Sequence, residues 1–180
     1  MGITLVLGGT KTGKTSFAEK RAHTISKELS LPVYYLATAL LIDHEMEDRI
    51  NRHRESRSRD WITVEEPHNP SAELERLDNC VVILDCLTLL MTNIIFRLGE
   101  ECPKEEAKKA VFKELDNIIS SVINKDISLI IISNQVENGL VSEHKWARMF
   151  QDIAGMSHQK LAEACENVYM LNAGLPLKLK

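Results

Sequence analysis

Eight consecutive residues near the N-terminus, GGTKTGKT from Gly8 to Thr15, combine the residue types that can hold a chain of phosphates. Glycines allow a tight turn whose backbone N–H groups converge on an anion, and a following helix adds the partial positive charge of its N-terminus. In the pattern G-x-x-x-x-G-K-[ST], the lysine (here Lys14) reaches the β- and γ-phosphates and the hydroxyl of Thr15 can ligate Mg²⁺. The run predicts a nucleoside triphosphate site. Its predicted contacts are Gly8, Gly9, Thr10, Lys11, Thr12, Gly13, Lys14 and Thr15.

A second candidate is an acidic residue at the end of an apolar stretch, Asp85 in VVILD. Sites of this kind use a carboxylate from the end of a neighbouring buried strand to hold the metal ion. A carboxylate at such a position loses hydration, which is costly unless it has a partner or a role. We therefore predict that Asp85 and Thr15 hold Mg²⁺. The alternative is that Asp85 caps the turn into the next helix.

A third candidate is His53, which lies in the segment DRINRHRESRSRDW (residues 48–61) with five arginines. Like charge disfavours the imidazolium form, and a neutral imidazole is a nucleophile. Guanidinium groups attract a polyphosphate and stabilise charge that develops on it. The segment thus fits a histidine that attacks phosphorus. The alternative is a solvated helix face on which acidic residues four positions earlier pair with Arg49 and Arg52.

The elements that must position these residues alternate between strand and helix patterns. The predicted strands are ITLVLGG, PVYYLATA, WITVEEP, CVVILDCLT, ISLIIISNQ, and one or two strands in NVYMLNAGLPLKLK around a Gly-Leu-Pro turn. The predicted helices are residues 14–29, a polar helix over 43–56, a region from Leu87 to Asn124 interrupted near LGEECP, and residues 142–166. This alternation predicts an α/β fold with a mainly parallel sheet flanked by helices. Without a repeat or linker, residues 1–180 are predicted to form a single domain.

Composition narrows the class of protein. The chain has 180 residues, 44% of them hydrophobic, and a formal net charge of −4. This predicts a folded core and argues against a nucleic-acid partner, which needs a broad basic surface. The four cysteines lack C-x-x-C spacing and are expected to be reduced thiols. No signal peptide and no apolar run of about 20 residues is found, so we expect a cytoplasmic protein without a membrane span.

Three classes of nucleotide-binding protein compete at this point. A regulatory GTPase should carry N-K-x-D after a late strand, where this chain has SNQVENG (residues 133–139). A nucleic-acid-dependent ATPase should show a basic or aromatic track, but 5% of the residues are aromatic. A small-molecule kinase or nucleotidyltransferase is favoured. A kinase of another small metabolite without guanylyl transfer, and a non-enzymatic nucleotide-binding switch, stay open as alternatives.

Taken together, these segments resemble the bifunctional adenosylcobinamide kinase / adenosylcobinamide-phosphate guanylyltransferase family of cobalamin biosynthesis. The resemblance runs nearly end to end, through GGTKTGKT, YYLATA, DHEMEDRINRHRESR, WITVEEP, VILDCLTLLMTN, SNQVENGLV, ARMFQDIAGMSHQKLAEACENVYML and GLPLKLK. It implies a P-loop NTPase with a RecA-like fold, assembled as a homotrimer. It also implies an enzyme that phosphorylates adenosylcobinamide with ATP or GTP and then transfers GMP from GTP to the resulting phosphate.

The resemblance further implies roles for individual residues. His53 falls on the family's nucleophile, which forms a GMP-histidine intermediate, and Lys14 is the second catalytic residue. Besides the phosphate loop, the implied nucleotide contacts are Ala37, Thr38, Ala39, Arg54, Glu55, Ser56, Arg57, Glu65 and Asp85. The chain departs from the family pattern at five positions: Ser56 and Glu137 replace glycines, Gln135 replaces a glutamate, Ser142 replaces a proline, and Asp85 stands where a glutamate can occur.

Overall fold

The computed structural model describes residues 2–40, 54, 58–99 and 101–180. Within them, seven strands form one sheet: β1 Ile3–Gly8, β2 Val33–Ala37, β3 Ile62–Glu65, β4 Cys80–Asp85, β5 Ile127–Asn134, β6 Asn167–Asn172 and β7 Leu175–Lys178. The helices of the same residues are α1 Lys14–Leu29, α2 Pro70–Leu74, α3 Leu87–Arg97, α4 Lys104–Ile123 and α5 Lys145–Ala164. The predicted helix over residues 43–56 lies, except for Arg54, outside the described residues.

The strand order is β3-β2-β4-β5-β1-β6-β7. All neighbouring pairs are parallel except β6 and β7, which are antiparallel. The predicted α/β class with a mainly parallel sheet is therefore confirmed. Strand β5 separates β1, which leads into the phosphate loop, from β4, which ends at Asp85. This interposed strand is the arrangement of RecA-like P-loop proteins, and it brings the C-terminal ends of β1 and β4 to the same edge of the sheet.

Both faces of the central strands are buried, which explains why their sequences are apolar throughout. On one face, Ala18 and Ala22 of α1 pack against Val81 and Ile83 of β4. On the other face, α3, α4 and α5 contribute to a larger cluster of buried residues. Small residues on α1 let the helix lie close to the sheet directly after the phosphate loop. The packing therefore fixes where α1 begins relative to the ends of the strands.

One local prediction needs correction, and one short helix was missed. The short helix α2 was not predicted, because five residues starting at Pro70 are too few to establish a helical period. The predicted Gly-Leu-Pro turn is wrong: the chain turns at Ala173 and Gly174, whose φ angles are 50° and 81°. Two consecutive left-handed residues match the twist of a tight hairpin. Pro176 then lies in β7, an edge strand, where a missing N–H is tolerated.

The structure also bears on the helical region after β4, on the cysteines and on the length of the helices. The region from Leu87 to Asn124 is two helices, α3 and α4, with the interruption where it was expected. The four cysteines are unpaired thiols, and Cys80, Cys86 and Cys165 are buried. In the part of the chain that the structure describes, no helix is both long and apolar enough to cross a bilayer.

Candidate nucleotide site

The phosphate loop between β1 and α1 depends on close backbone approaches. A Cβ atom on Gly8 would lie 2.5 Å from the carbonyl oxygen of Leu171 and 2.7 Å from Oγ1 of Thr12, so a larger residue cannot fit. Gly13 adopts a φ of 92°, which side chains disfavour, and the chain enters α1 directly after it. The hydroxyl of Thr12 donates to the carbonyl of Gly9 at 2.9 Å. These contacts shape the loop that leads from β1 into α1.

Lys14 is the first residue of α1 and its side chain is buried, with 7% exposure. Its Nζ donates to the carbonyl oxygen of Gly9 at 2.5 Å, which holds the ammonium group inside the loop. Thr15 follows in the first turn and is half-buried. The loop therefore presents a cation, a hydroxyl and the helix N-terminus at one place, which is the set that binds phosphate groups.

The C-terminal hairpin supports this loop from outside, a contact that the sequence reading missed. The amide of Gly174, in the turn between β6 and β7, donates to the carbonyl of Thr12 at 3.1 Å. A Cβ atom on Gly13 would lie 3.3 Å from Cα of Gly174, so the two backbones nearly touch. The pairing of β6 with β1 explains the contact, because it brings the end of β6 to the beginning of the loop.

Three of the predicted nucleotide contacts form a row across the sheet. Ala37 is paired in register with Glu65 on one side and with Asp85 on the other, at the C-terminal ends of β2, β3 and β4. The hydroxyl of Tyr35 donates to Oδ2 of Asp85 and fixes that carboxylate. Tyr35 was not among the predicted site residues, although its position in a strand two residues before Ala37 places it on the same face of the sheet.

Thr38 ties the loop after β2 to the turn after β4. It is fully buried; its hydroxyl donates to the carbonyl of Cys86 at 2.7 Å and accepts from the amide of Cys86 at 2.8 Å. Asn93 of α3 in turn donates through Nδ2 to the carbonyls of Thr38 and Pro67, both at 2.8 Å. Asn93 was missed by the sequence reading because a lone asparagine inside a helix gives no local signal. Ala39, the third predicted contact of this loop, is half-buried.

The structure describes Arg54 at the centre of the basic segment and residues 58–61 at its end. Arg54 forms an ion pair with Glu65 at the end of β3, and both side chains are about half exposed. Both residues were predicted nucleotide contacts, and the structure brings them together. The other four predicted residues of this segment, His53, Glu55, Ser56 and Arg57, lie outside the described residues.

Charges of both signs surround the start of α3. Burial, and next the charge of Asp85, raise the pKa of the Cys86 thiol to about 12, while the charge of Lys14 acts in the opposite direction. The cation of the phosphate loop and the carboxylate of β4 thus both act on the same turn.

Among the described residues, no group of three or more His, Cys, Asp or Glu side chains could hold a metal ion. One carboxylate, one hydroxyl and phosphate oxygens are a donor set that Mg²⁺ accepts.

The strand order, the phosphate loop and the carboxylate of β4 define a P-loop NTPase of the RecA-like type. The family model described as cobinamide kinase / cobinamide phosphate guanyltransferase matches residues 4–179, and the chain belongs to this family. The resemblance inferred from the sequence is thereby confirmed.

Curated relatives agree with this assignment. The chain is 34% identical to the bifunctional adenosylcobalamin biosynthesis protein CobU of Escherichia coli K12, with 98% of both chains covered. It is 30% identical to the protein of the same name from Salmonella typhimurium LT2, with the same coverage. It is 35% identical to the bifunctional adenosylcobalamin biosynthesis protein CobP of Pseudomonas aeruginosa PAO1, over 98% of this chain and 96% of the relative.

Proposed function

We propose that this enzyme carries out two successive reactions on a cobinamide. In the first, ATP or GTP phosphorylates the aminopropanol hydroxyl of adenosylcobinamide. In the second, GMP passes from GTP to that phosphate and gives adenosyl-GDP-cobinamide. The observation that carries the proposal is the family match over residues 4–179, together with a phosphate loop and Asp85 at one edge of the sheet.

In this proposal both reactions use the phosphate loop of residues 8–15 as the same cradle for the triphosphate. The backbone amides of residues 8–15 bind the phosphate chain, and Lys14 exchanges its hydrogen bond to Gly9 for phosphate oxygens. Thr15 and Asp85 would hold Mg²⁺, which supplies charge neutralisation when bound. The ion pair of Arg54 with Glu65, both proposed to contact the nucleotide, supports a binding surface that extends from the loop to β3.

His53 is the proposed nucleophile of the second reaction. A ring nitrogen forms a bond to the α-phosphorus of GTP while the bond from that phosphorus to the bridging oxygen breaks, and pyrophosphate leaves. A phosphate oxygen of cobinamide phosphate then attacks the same phosphorus, and the phosphorus–nitrogen bond breaks. The adjacent Arg54 supports this role, because its ion pair with Glu65 lies at the C-terminal end of β3, and the phosphate loop starts at the C-terminal end of β1 in the same sheet.

One incubation separates this proposal from its rivals. Enzyme mixed with α-labelled GTP and Mg²⁺ should acquire label that is labile to acid and stable to base, and adenosylcobinamide phosphate should remove it. The His53→Ala variant should acquire no label while keeping much of the phosphorylation activity. The exposed His23 on α1 offers a matched control, and His23→Ala should label normally. A kinase of another metabolite gives no covalent nucleotide, and a nucleotide-binding switch gives no product from cobinamide.

The assembly is proposed to be a homotrimer of single domains that span residues 1–180. Exposed apolar side chains on the edge strand β7, Leu175 and Leu177, support an association of subunits. Light scattering should give a mass close to three times the 20.4 kDa of one chain. A mass of one chain would contradict the trimer without affecting the chemistry. A cytoplasmic location stays a prediction.

A further inference from the structure

Four side chains form a continuous run of hydrogen bonds beneath the end of β5. Oε1 of Glu137 lies 2.8 Å from Nδ1 of His158, and Nε2 of the same ring lies 2.8 Å from Oγ of Ser133. Oγ of Ser133 lies 3.2 Å from Oγ1 of Thr88. These residues come from the loop after β5, from α5, from β5 and from α3. The run joins elements that are distant along the chain.

The order of serine, histidine and carboxylate is that of a hydrolase triad, but this run cannot attack a substrate. The side chain of Ser133 is fully buried, with 0% exposure, and the residue lies inside the sheet. A nucleophile must reach the reacting atom, so a buried hydroxyl held between two partners has no access to one. Any effect of the run on the nucleotide site is therefore transmitted through the backbone that it holds.

The hydrogens of the run can be assigned so that each of its hydrogen bonds has one donor and one acceptor, although Oε2 of Glu137 has no partner among the described residues. Burial raises the pKa of Glu137, but hydrogen bonds from His158 and from the backbone outweigh burial and hold that pKa below its ordinary value. Glu137 then accepts from Nδ1 of His158, whose Nε2 accepts from the hydroxyl of Ser133. That hydroxyl accepts from Thr88. Every hydrogen bond of the run is thus donated in the direction of Glu137, and the run begins at Thr88 in the first turn of α3.

The end of the run meets the phosphate loop. The amide of Asn134 donates to Oγ1 of Thr88 at 2.8 Å. Asn134 is paired in register with Gly8, and the amide of Gln135 donates to the carbonyl of Gly8 at 3.0 Å. Thr88 also lies three residues after Asp85, in the first turn of α3. One hydroxyl therefore fixes the base of the phosphate loop relative to the helix that follows the proposed metal ligand.

We propose that His158, held by Glu137, is a positioning residue for the nucleotide site. Through Ser133 and Thr88 it sets the end of β5 against Gly8 without touching the nucleotide. Of the measurements that test this proposal, the rate of guanylyl transfer rests on the proposed function, whereas amide exchange and GTP binding do not.

The test compares variants that remove or keep single hydrogen bonds. His158→Phe keeps the size of the ring and removes both bonds, Glu137→Leu removes the acceptor, and Glu137→Gln keeps one. Ser157 is the matched control, because it is equally buried on α5 and its hydroxyl has no hydrogen-bond partner among the described residues. We would measure amide exchange at Asn134 and Gln135, the Kd for GTP, and kcat and KM for guanylyl transfer.

We expect His158→Phe to speed exchange at both amides roughly tenfold and to lower kcat about 10- to 100-fold, because small misplacements at a reacting centre have effects of this size. The Kd for GTP should change less than about threefold, since the loop amides remain. Glu137→Gln and Ser157→Ala should stay close to the parent, and Glu137→Leu should resemble His158→Phe. The double variant His158→Phe/Glu137→Leu should be no worse than either single variant, because both act through one run.

Unchanged exchange and kcat in folded His158→Phe would overturn the proposal, and so would additive losses in the double variant. A variant that lost only thermal stability would indicate a purely structural role and would also overturn it. If His158→Phe does not fold, Glu137→Leu decides, because Glu137 is partly exposed in its loop. If the parent enzyme shows no turnover with cobinamide, the proposed function fails, and amide exchange with GTP binding still decides this proposal.

Discussion

The hydroxyl of Thr38 exchanges two hydrogen bonds with the backbone of Cys86, donating to its carbonyl at 2.7 Å and accepting from its amide at 2.8 Å. The two residues lie one step beyond Ala37 and Asp85, which are paired in register at the ends of β2 and β4. The side chain of Thr38 thus extends the hydrogen bonding between β2 and β4 beyond their last paired residues. It locks the loop after β2 to the turn from which α3 begins.

Replacing Thr38 with valine keeps the shape of the side chain and leaves the buried amide of Cys86 without its partner. The carbonyl of Cys86 still accepts from the amide of Leu90 at 3.1 Å. An unpaired buried amide costs about 1–3 kcal/mol, so we expect the free energy of unfolding to fall by that amount. Thr38→Ser keeps the hydroxyl, and its free energy of unfolding should fall by less than about 1.5 kcal/mol. Urea unfolding of the three proteins measures both values. Equal stability of the valine and serine variants would contradict the role of the hydroxyl.

Loss of the ammonium group of Lys14 should impair both reactions. We expect Lys14→Ala to lower the rates of phosphorylation and of guanylyl transfer by roughly 100- to 1,000-fold, because a preorganised charge in the cradle stabilises the transition state. Lys27, in the last turn of the same helix, is exposed, and Lys27→Ala should be neutral. Initial rates of the two steps provide the measurement. If one rate stayed near the parental value, the two reactions would not share the cradle.

The hydrogen bond from Tyr35 to Asp85 predicts a weaker metal site when the hydroxyl is removed. A carboxylate oriented by a second residue binds metal better than a free one, so Tyr35→Phe should raise the Mg²⁺ concentration for half-maximal activity by roughly tenfold. The neighbouring Tyr34 packs against the opposite cluster, and Tyr34→Phe serves as the control. Titration of activity with Mg²⁺ measures the change. Identical titration curves for parent and Tyr35→Phe would rule out this role for the hydroxyl.

Gln135 predicts a step-specific gain of function. The backbone amide of Gln135 donates to the carbonyl of Gly8, which holds the residue next to the phosphate loop. An amide oxygen cannot accept a proton at neutral pH, whereas a carboxylate can. Gln135→Glu should therefore raise the rate of cobinamide phosphorylation several-fold and leave guanylyl transfer unchanged. Gln159→Glu, at an exposed position of α5, controls for the added charge. An increase in neither rate, or in both, would count against a base at this position.

Glu114 predicts a pH-dependent stability difference. It is buried on α4 and accepts from the amide and hydroxyl of Ser71, at 2.9 and 3.0 Å. Burial raises the pKa of Glu114 above its ordinary value, so the folded state binds its proton more tightly than the unfolded state. Its favourable contribution is complete below the ordinary glutamate pKa and is lost as the pH rises through the raised pKa.

The Glu114→Gln variant carries no charge at this position and should therefore unfold at a higher temperature than the parent near neutral pH. The difference in Tm should shrink as the pH falls through the raised pKa of Glu114 and should be smallest below the ordinary value of 4.5, where the parent carboxyl is protonated in both states. Glu106→Gln, on the exposed first turn of the same helix, should show no such trend. A lower Tm for Glu114→Gln near neutral pH would show that the charge is required.

Much of the site followed from local patterns because its parts are local. The phosphate loop is one continuous segment whose glycines, lysine and threonine act within eight residues, and the alternation of apolar and helical segments predicts a parallel α/β sheet. The hairpin turn was placed wrongly because proline in a short segment usually marks a turn. The pairing of β7 along the sheet edge decided otherwise.

The sequence by itself determined the α/β class, the phosphate loop, the carboxylate Asp85 and the family, because these are written in short motifs and in the periodicity of apolar residues. The tertiary structure decided the strand order, the row of Ala37, Glu65 and Asp85, and the contact of Gly174 with the loop. It also decided the run from Glu137 through His158. These relationships join residues that are far apart in the chain, and only packing of the sheet and helices brings such residues within hydrogen-bond distance.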